Sequence, residues 1–354
     1  MRALTTFLVM SLLAACAPTS QVARGTSAQT AEEILIQQRL ALRANAERQA
    51  RLERLARPLL LANADMCGER VAAKIDLRLT SSLLFQGNFK KAAELEFNLD
   101  DKPRLQVAVG GQADKAGLQN GDVLLAVNDE PAKATLTKRE FKRLNLRIAK
   151  ALETNGPEPA SVILRVLTKL GETRDVRVPA QTRCDYPVLV QQNDSLNAFA
   201  DGTNIILTTG MMRFVHEDKE LQFILAHELA HNAEGHLDKK RGNYLIGSIF
   251  DVLAAAYGVN TQGSFGSAAA SAYSQDFERE ADYIGMYMLA RAGIDGAAVA
   301  DFWRKMVAEN AGSIQANYNS SHPSSAERYG NIEQAYLEVT EKKRKGEPLL
   351  PNRQ

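Results

Sequence analysis

The chain has 354 residues, 45% apolar and 24% charged, with 43 Lys+Arg against 42 Asp+Glu and a formal net charge of +1. That length predicts two folded units with additional segments, and the composition excludes a disordered chain, a collagen-like chain and a polytopic membrane protein. A net charge so close to zero lacks the basic footprint of a nucleic-acid-binding domain, so no nucleic-acid partner is expected.

The N-terminus reads Met1-Arg2, then a mostly apolar run from Ala3 to Ala15, then Cys16. A basic start, a short apolar stretch and small residues before a cut describe a secretory signal, and the run is too short to span a bilayer. Leu13-Ala14-Ala15-Cys16 resembles the lipobox of bacterial lipoproteins. The resemblance implies residues 1–15 as a cleaved signal peptide, Cys16 as the acylated residue and residues 16–30 as a flexible tether. An ordinary signal with an incidental Cys is the plainer reading of the same residues. Ala17 stands where that family's inner-membrane retention signal has Asp, which implies a membrane partner through Cys16 and a place on the periplasmic face of the outer membrane. In that oxidising compartment Cys67 and Cys184 form an even pair, either bridged or left as two buried thiols.

Residues 31–69 interleave charges of both signs (Glu32, Glu33, Arg43, Glu47) with Leu35, Leu42, Leu52, Leu55 and Leu59. This pattern predicts one long amphipathic N-terminal helix, which Pro58 kinks or ends. The block 70–182 reads as β-rich. Leu105–Val109, Val123–Val127 and Val162–Val166 are short strand-like runs, with a helix expected around Lys138 to Glu153. Ala113-Asp114-Lys115-Ala116-Gly117-Leu118 followed by Gly121-Asp122-Val123-Leu124 resembles the middle of PDZ domains of bacterial proteases. The resemblance implies a fold that takes an extended peptide along a sheet edge. No carboxylate-binding loop is recognisable, so a spacer without a peptide ligand is the alternative. Cys67 and Cys184 flank the block closely, as expected for a domain inserted into another.

The chemistry concentrates in His227-Glu228-Leu229-Ala230-His231. It lies in Glu217–Gly242, where Leu221, Leu225 and Leu229 recur every four residues and Asp218 and Glu220 favour a helix start. One turn apart on such a helix, the two imidazoles reach one metal, while Glu228 is offset and meets a water there as general base. Glu234 and Leu237 stand where a metzincin needs Gly and His, which excludes that class. His236 lies about 140° around the helix from His231, badly placed for the same metal, and reads as supporting a ligand or the structure. Ser274 to Asp282 opens a further helix ending near Gly293. On it Glu278 and Asp282 sit one turn apart, so Glu278 can ligate while Asp282 holds a ligand imidazole. Taken alone, that pair also reads as an exposed acidic face.

Together these two motifs, HExxH and E-x-x-A-D, resemble the HtpX/BepA-type gluzincin metallopeptidases. The resemblance implies an α+β fold: a mainly helical zincin-type metalloprotease core over residues 183–354 with a small edge sheet, plus the inserted β-rich PDZ-like domain. It implies Zn2+ held by His227, His231 and Glu278, with Glu228 as the base. Asn197–Ala200 and Ile205–Gly210 resemble the family's strand beside the cleft, along which peptide or unfolded-protein substrates lie. Ser321-His322-Pro323, with Arg328 six positions after the His, resembles a segment that implies His322 as an extra ligand or catalytic group and Arg328 at the cleft beside the developing oxyanion. Tyr244–Val259 contains Asp251 and is too short to span a bilayer, so it reads as a buried or interfacial helix. Gly263–Ala272 reads as a mobile lid or as a close-packed helix start. The expected function is a zinc endopeptidase for unfolded or misassembled envelope proteins in the periplasm. The alternative is a PDZ-mediated chaperone or assembly factor with latent proteolytic activity.

Overall fold

The long N-terminal helix α1 (Ser27–Ala62) begins a turn earlier than its pattern of charges suggests, because Thr26 caps it. The Thr26 hydroxyl accepts from the Gln29 backbone N–H, and the Gln29 side chain accepts from the Thr26 N–H. Pro58 does not end the helix, which runs on to Ala62 and buries Leu52, Leu55, Ala56, Leu59 and Leu60 in its last turns. The computed structural model describes residues 25–133, 136–153, 160–256, 262, 264, 267, 274–309 and 326–353.

After α1 the chain builds a β-rich unit from β1 (Val71–Lys74), β2 (Leu77–Thr80), α2 (Asn88–Phe97), β3 (Arg104–Val107), α3 (Gln112–Lys115), β4 (Val123–Val127), β5 (Glu130–Pro131), α4 (Lys138–Ala151), β6 (Ser161–Leu167), β7 (Thr173–Pro179) and β8 (Gln181–Cys184). One antiparallel sheet runs β2-β3-β4-β6-β7, with β5 beside β4. Alternation decides its faces: Val162, Leu164 and Val166 of β6 are wholly buried while Arg165 points out. Helix α4 starts at a Thr137/Glu140 capping box and buries Phe141, Leu144 and Ile148. This unit has its own hydrophobic core, centred on Leu105, Leu118, Leu124 and Leu164. Its neck is the β1–β8 pair, with Val71 opposite Cys184, and there Cys67 and Cys184 are joined in a disulfide with Cα atoms 5.6 Å apart. Arginines of α1 tie the unit on: Arg39 and Arg43 reach Glu96, and Arg57 donates to the Val109 carbonyl.

The second core gathers the end of α1 with β9 (Val188–Gln191), β10 (Ala198–Ala200), β11 (Ile205–Thr208), α5 (Thr209–Phe214), α6 (Asp218–Ala233), α7 (His236–Ala256), α8 (Ser274–Arg291), α9 (Val299–Glu309) and α10 (Ala326–Lys345). The small sheet runs β10-β11-β9, antiparallel then parallel. The single helix expected over 217–242 is two, because Gly235 takes φ +64° and turns the chain between α6 and α7. Helix α6 is the centre of this core, with Leu221, Phe223, Ile224, Leu225, Ala226 and Leu229 all buried. Helix α8 packs against it through small residues. A Cβ on Gly285 would meet the Ala226 carbonyl and the His227 amide at 3.4 Å, and Ala281 is fully buried.

Helix α7 differs from one of its two expectations. Leu245, Ile246, Ile249 and Val252 are each more than half exposed, so the helix does not bury this apolar face. Among the described residues no helix is long and apolar enough to cross a membrane. Most of Gly263–Ala272 lies outside the described residues, as do Cys16 and His322.

Candidate metal centre

Periodicity puts His227 and His231 on one face of α6, and their Nε2 atoms lie 3.1 Å apart. Helix α8 supplies Glu278, whose Oε2 is 3.3 Å from His227 Nε2 and whose Oε1 is 3.3 Å from His231 Nε2. These three donors form the one His/Asp/Glu/Cys group among the described residues suited to a metal ion. A tetrahedral ion with ligands at about 2.0–2.1 Å has ligand–ligand edges of about 3.3–3.4 Å, so the triangle fits zinc with little adjustment. The fourth vertex is left for water or substrate. Glu228 directly follows His227 and is only 1% exposed, so its carboxyl works away from bulk solvent.

Around the triangle the side chains are orienting groups. His227 Nδ1 is 2.9 Å from Asp282 Oδ1. Arg328, buried at the start of α10, donates from Nε to Asp282 Oδ2 at 2.6 Å and from Nη2 to Oδ1 at 3.0 Å. Its Nη1 lies 3.3 Å from Glu278 Oε2, and its guanidinium covers the Trp303 ring at 4.8 Å. The structure thus places Arg328 on the two carboxylates, where the fork of a guanidinium matches them. On the other side, His231 Nδ1 is 2.8 Å from His236 Nδ1, and His236 Nε2 is 2.9 Å from Glu280 Oε2. The His236 ring lies nearly parallel to Phe277, with centroids 4.8 Å apart.

Residues 163–336 match the model of peptidase family M48. The chain's beta-barrel assembly-enhancing protease relative from Escherichia coli (strain K12) is 31% identical over 147 residues, 37% of this chain and 29% of that one. Metalloprotease YcaL of the same strain is 30% identical over 159 residues, 43% of this chain and 61% of the relative. The human mitochondrial metalloendopeptidase OMA1 is 27% identical over 173 residues, 43% of this chain and 32% of that protein. The chain therefore spans less than a third of the length of the assembly-enhancing proteases it matches.

The segment that matches M48 carries the His227, His231 and Glu278 donor set, and M48 peptidases are zinc-dependent. Burial alone lowers the pKa of His227, but hydrogen bonds to Asp282 and Glu278 outweigh it and push it up to about 10. For His231, burial dominates and lowers the pKa despite Glu278. His236 is pushed down to about 4, by burial first and by the neighbouring His231 next. Burial disfavours the charged form of Asp282, yet Arg328 and His227 hold its pKa below the usual carboxylate range.

The sheet is fastened to this centre by Asn232, near the end of α6. Its Oδ1 accepts from Gly202 N–H at 2.9 Å and its Nδ2 donates to the Asn204 carbonyl at 3.0 Å, which pins the β10–β11 turn. Neither Asn232 nor Glu280 is legible as a functional residue in sequence. An Asn one place after HExxH is a weak signal, and Glu280 acquires a role only once α7 brings His236 to it.

Proposed function

We propose that this chain is a zinc-dependent endopeptidase acting on unfolded or misassembled envelope proteins in the periplasm, held at the outer membrane by a lipid on Cys16. The observation that carries the catalytic part is the convergence of His227 Nε2, His231 Nε2 and Glu278 on one point beside buried Glu228. Zinc bound there would supply Lewis-acid chemistry, polarising the scissile carbonyl and making the attacking water more acidic. The protein's own part is proton handling and orientation. Glu228 accepts the proton of the attacking water and delivers it to the leaving amine. Asp282 takes the Nδ1 hydrogen of His227 and leaves its Nε2 bare, while Arg328 offsets the two buried carboxylates.

The sheet fastened to α6 offers extended backbone for a substrate strand, and the likeness to the assembly-enhancing proteases supports an envelope setting. The β-rich unit is proposed to be PDZ-like and to bind extended peptide. By resemblance, His322 is proposed to approach the same metal.

Casein or an unfolded envelope protein serves as test substrate, with zinc content measured in parallel. Glu228→Gln is expected to keep one zinc and to lose about 10²–10⁴-fold in cleavage, since only the base is removed. Glu278→Ala is expected to lose the metal. Full zinc occupancy in Glu278→Ala would refute the ligand assignment.

A further inference from the structure

We infer that Glu280 and His236 form a hydrogen-bond relay that fixes the tautomer of His231 and so makes it a ligand. The inference rests on the metal centre proposed above. Three distances carry it: Glu280 Oε2 to His236 Nε2 at 2.9 Å, His236 Nδ1 to His231 Nδ1 at 2.8 Å, and His231 Nε2 to Glu278 Oε1 at 3.3 Å.

The chemistry of the donors decides the direction. A carboxylate only accepts, so His236 presents a hydrogen to Glu280 from Nε2. A neutral imidazole has one N–H, so His236 Nδ1 is then an acceptor. Two ring nitrogens 2.8 Å apart share one hydrogen, and it therefore belongs to His231 Nδ1. That leaves the lone pair of His231 on Nε2, the atom facing His227 and Glu278. Asp282 does the same for His227 directly, through a buried charged carboxylate. The His231 side reaches its carboxylate through one intervening ring, and Glu280 is partly exposed, with 42% of its side chain open to solvent. Stacking on Phe277 fixes the plane of the intermediate ring. His236 and Glu280 are thus positioning residues: neither is placed to touch the substrate, and both act through His231.

The experiment reads metal affinity and tautomer separately. Zinc affinity is measured by competition with a chromophoric chelator on the full chain. The protonated nitrogen of His231 is read by long-range ¹H–¹⁵N correlation on histidine-labelled protein, before and after zinc addition. His236→Phe keeps a ring against Phe277 but removes the acceptor, and is expected to weaken zinc binding about 10–100-fold. Glu280→Ala is expected to do the same. Glu280→Gln still offers a carbonyl oxygen to His236 Nε2–H and is expected to stay within about threefold of wild type, an outcome that a charge-based role would not produce, while the His231 tautomer separates the relay from a merely structural role. In wild type His231 is expected to carry its hydrogen on Nδ1, with or without zinc. A hydrogen on Nε2 in the absence of zinc, or wild-type affinity in folded His236→Phe, overturns the relay. If wild type takes up no zinc, the metal reading fails, and the tautomer of His231 still decides the relay.

Discussion

At the scale of single residues, the buried charges around the centre are where substitutions should tell most. Arg328 faces Asp282 and Glu278 with both partners buried. Removing a cation from such a cluster leaves two carboxylates desolvated together, and breaking a buried ion pair costs about 3–5 kcal/mol. Arg328→Met is therefore expected to lower unfolding free energy by about that amount in urea titrations. Arg328→Lys should restore little of it, since an ammonium cannot make the two-pronged contact with Asp282 and reach Glu278 as well. A lysine variant as stable as wild type would show that charge alone, not the fork, is what the site requires.

At the scale of elements, the sheet beside α6 depends on its turns. Asp201 binds the backbone N–H groups of Thr203 and Asn204 and both of their side chains. Burial opposes ionisation, but these hydrogen bonds outweigh it and pull its pKa from 3.8 down to about 2. A folded-state value below the unfolded one stabilises fully above the unfolded pKa and is lost as pH falls through the folded one. The stability gap between wild type and Asp201→Ala should thus be constant near neutrality and shrink between about pH 4 and pH 2, as followed by urea midpoints. An unchanged gap at pH 2 would exclude the ionised turn as its source.

Gly210 closes the same sheet. A Cβ there would stand 2.3 Å from the Asp194 and Ser195 carbonyl oxygens. Backbone cannot yield as a side-chain tip does, so Gly210→Ala should cost at least about 1–3 kcal/mol. A thermal midpoint equal to wild type would show that the loop 194–195 moves freely.

At the scale of the whole molecule, the disulfide pinches the chain where it leaves and re-enters the core that carries the metal-ligand triangle. Cys67 and Cys184 are 117 residues apart, and in the chain-entropy model a loop of about 100 residues is worth about 4.7 kcal/mol, with measured losses of about 2–5. Cys67→Ser/Cys184→Ser should lower the unfolding midpoint of the core around α6 while leaving zinc stoichiometry near one. The β-rich unit has a core of its own, so its strands should be the less affected in hydrogen exchange. Equal loss of protection in both cores would mean that they unfold as one body.

Much of the centre was legible in the sequence because helical period is a local property. A step of four residues from His227 to His231, and another from Glu278 to Asp282, puts each pair on one face whatever surrounds them. Strand alternation in Val162–Val166 and the helix over Lys138–Ala151 are local in the same sense. The break at Gly235 was hidden because a glycine inside a helical pattern does not announce its positive φ. Helix α2 was missed for want of a long apolar stripe; it buries only Ala92 and Ala93. Which faces meet was not local. The close approach of α8 to α6 past Gly285 and Ala281, the turning of Arg328 onto two carboxylates, and the passage from Glu280 through His236 to His231 join residues distant in sequence. Sequence alone determined which side chains could hold a metal; only tertiary packing decided which buried groups would orient them, because desolvation and hydrogen-bond partners come from the surroundings of a residue and not from its neighbours along the chain.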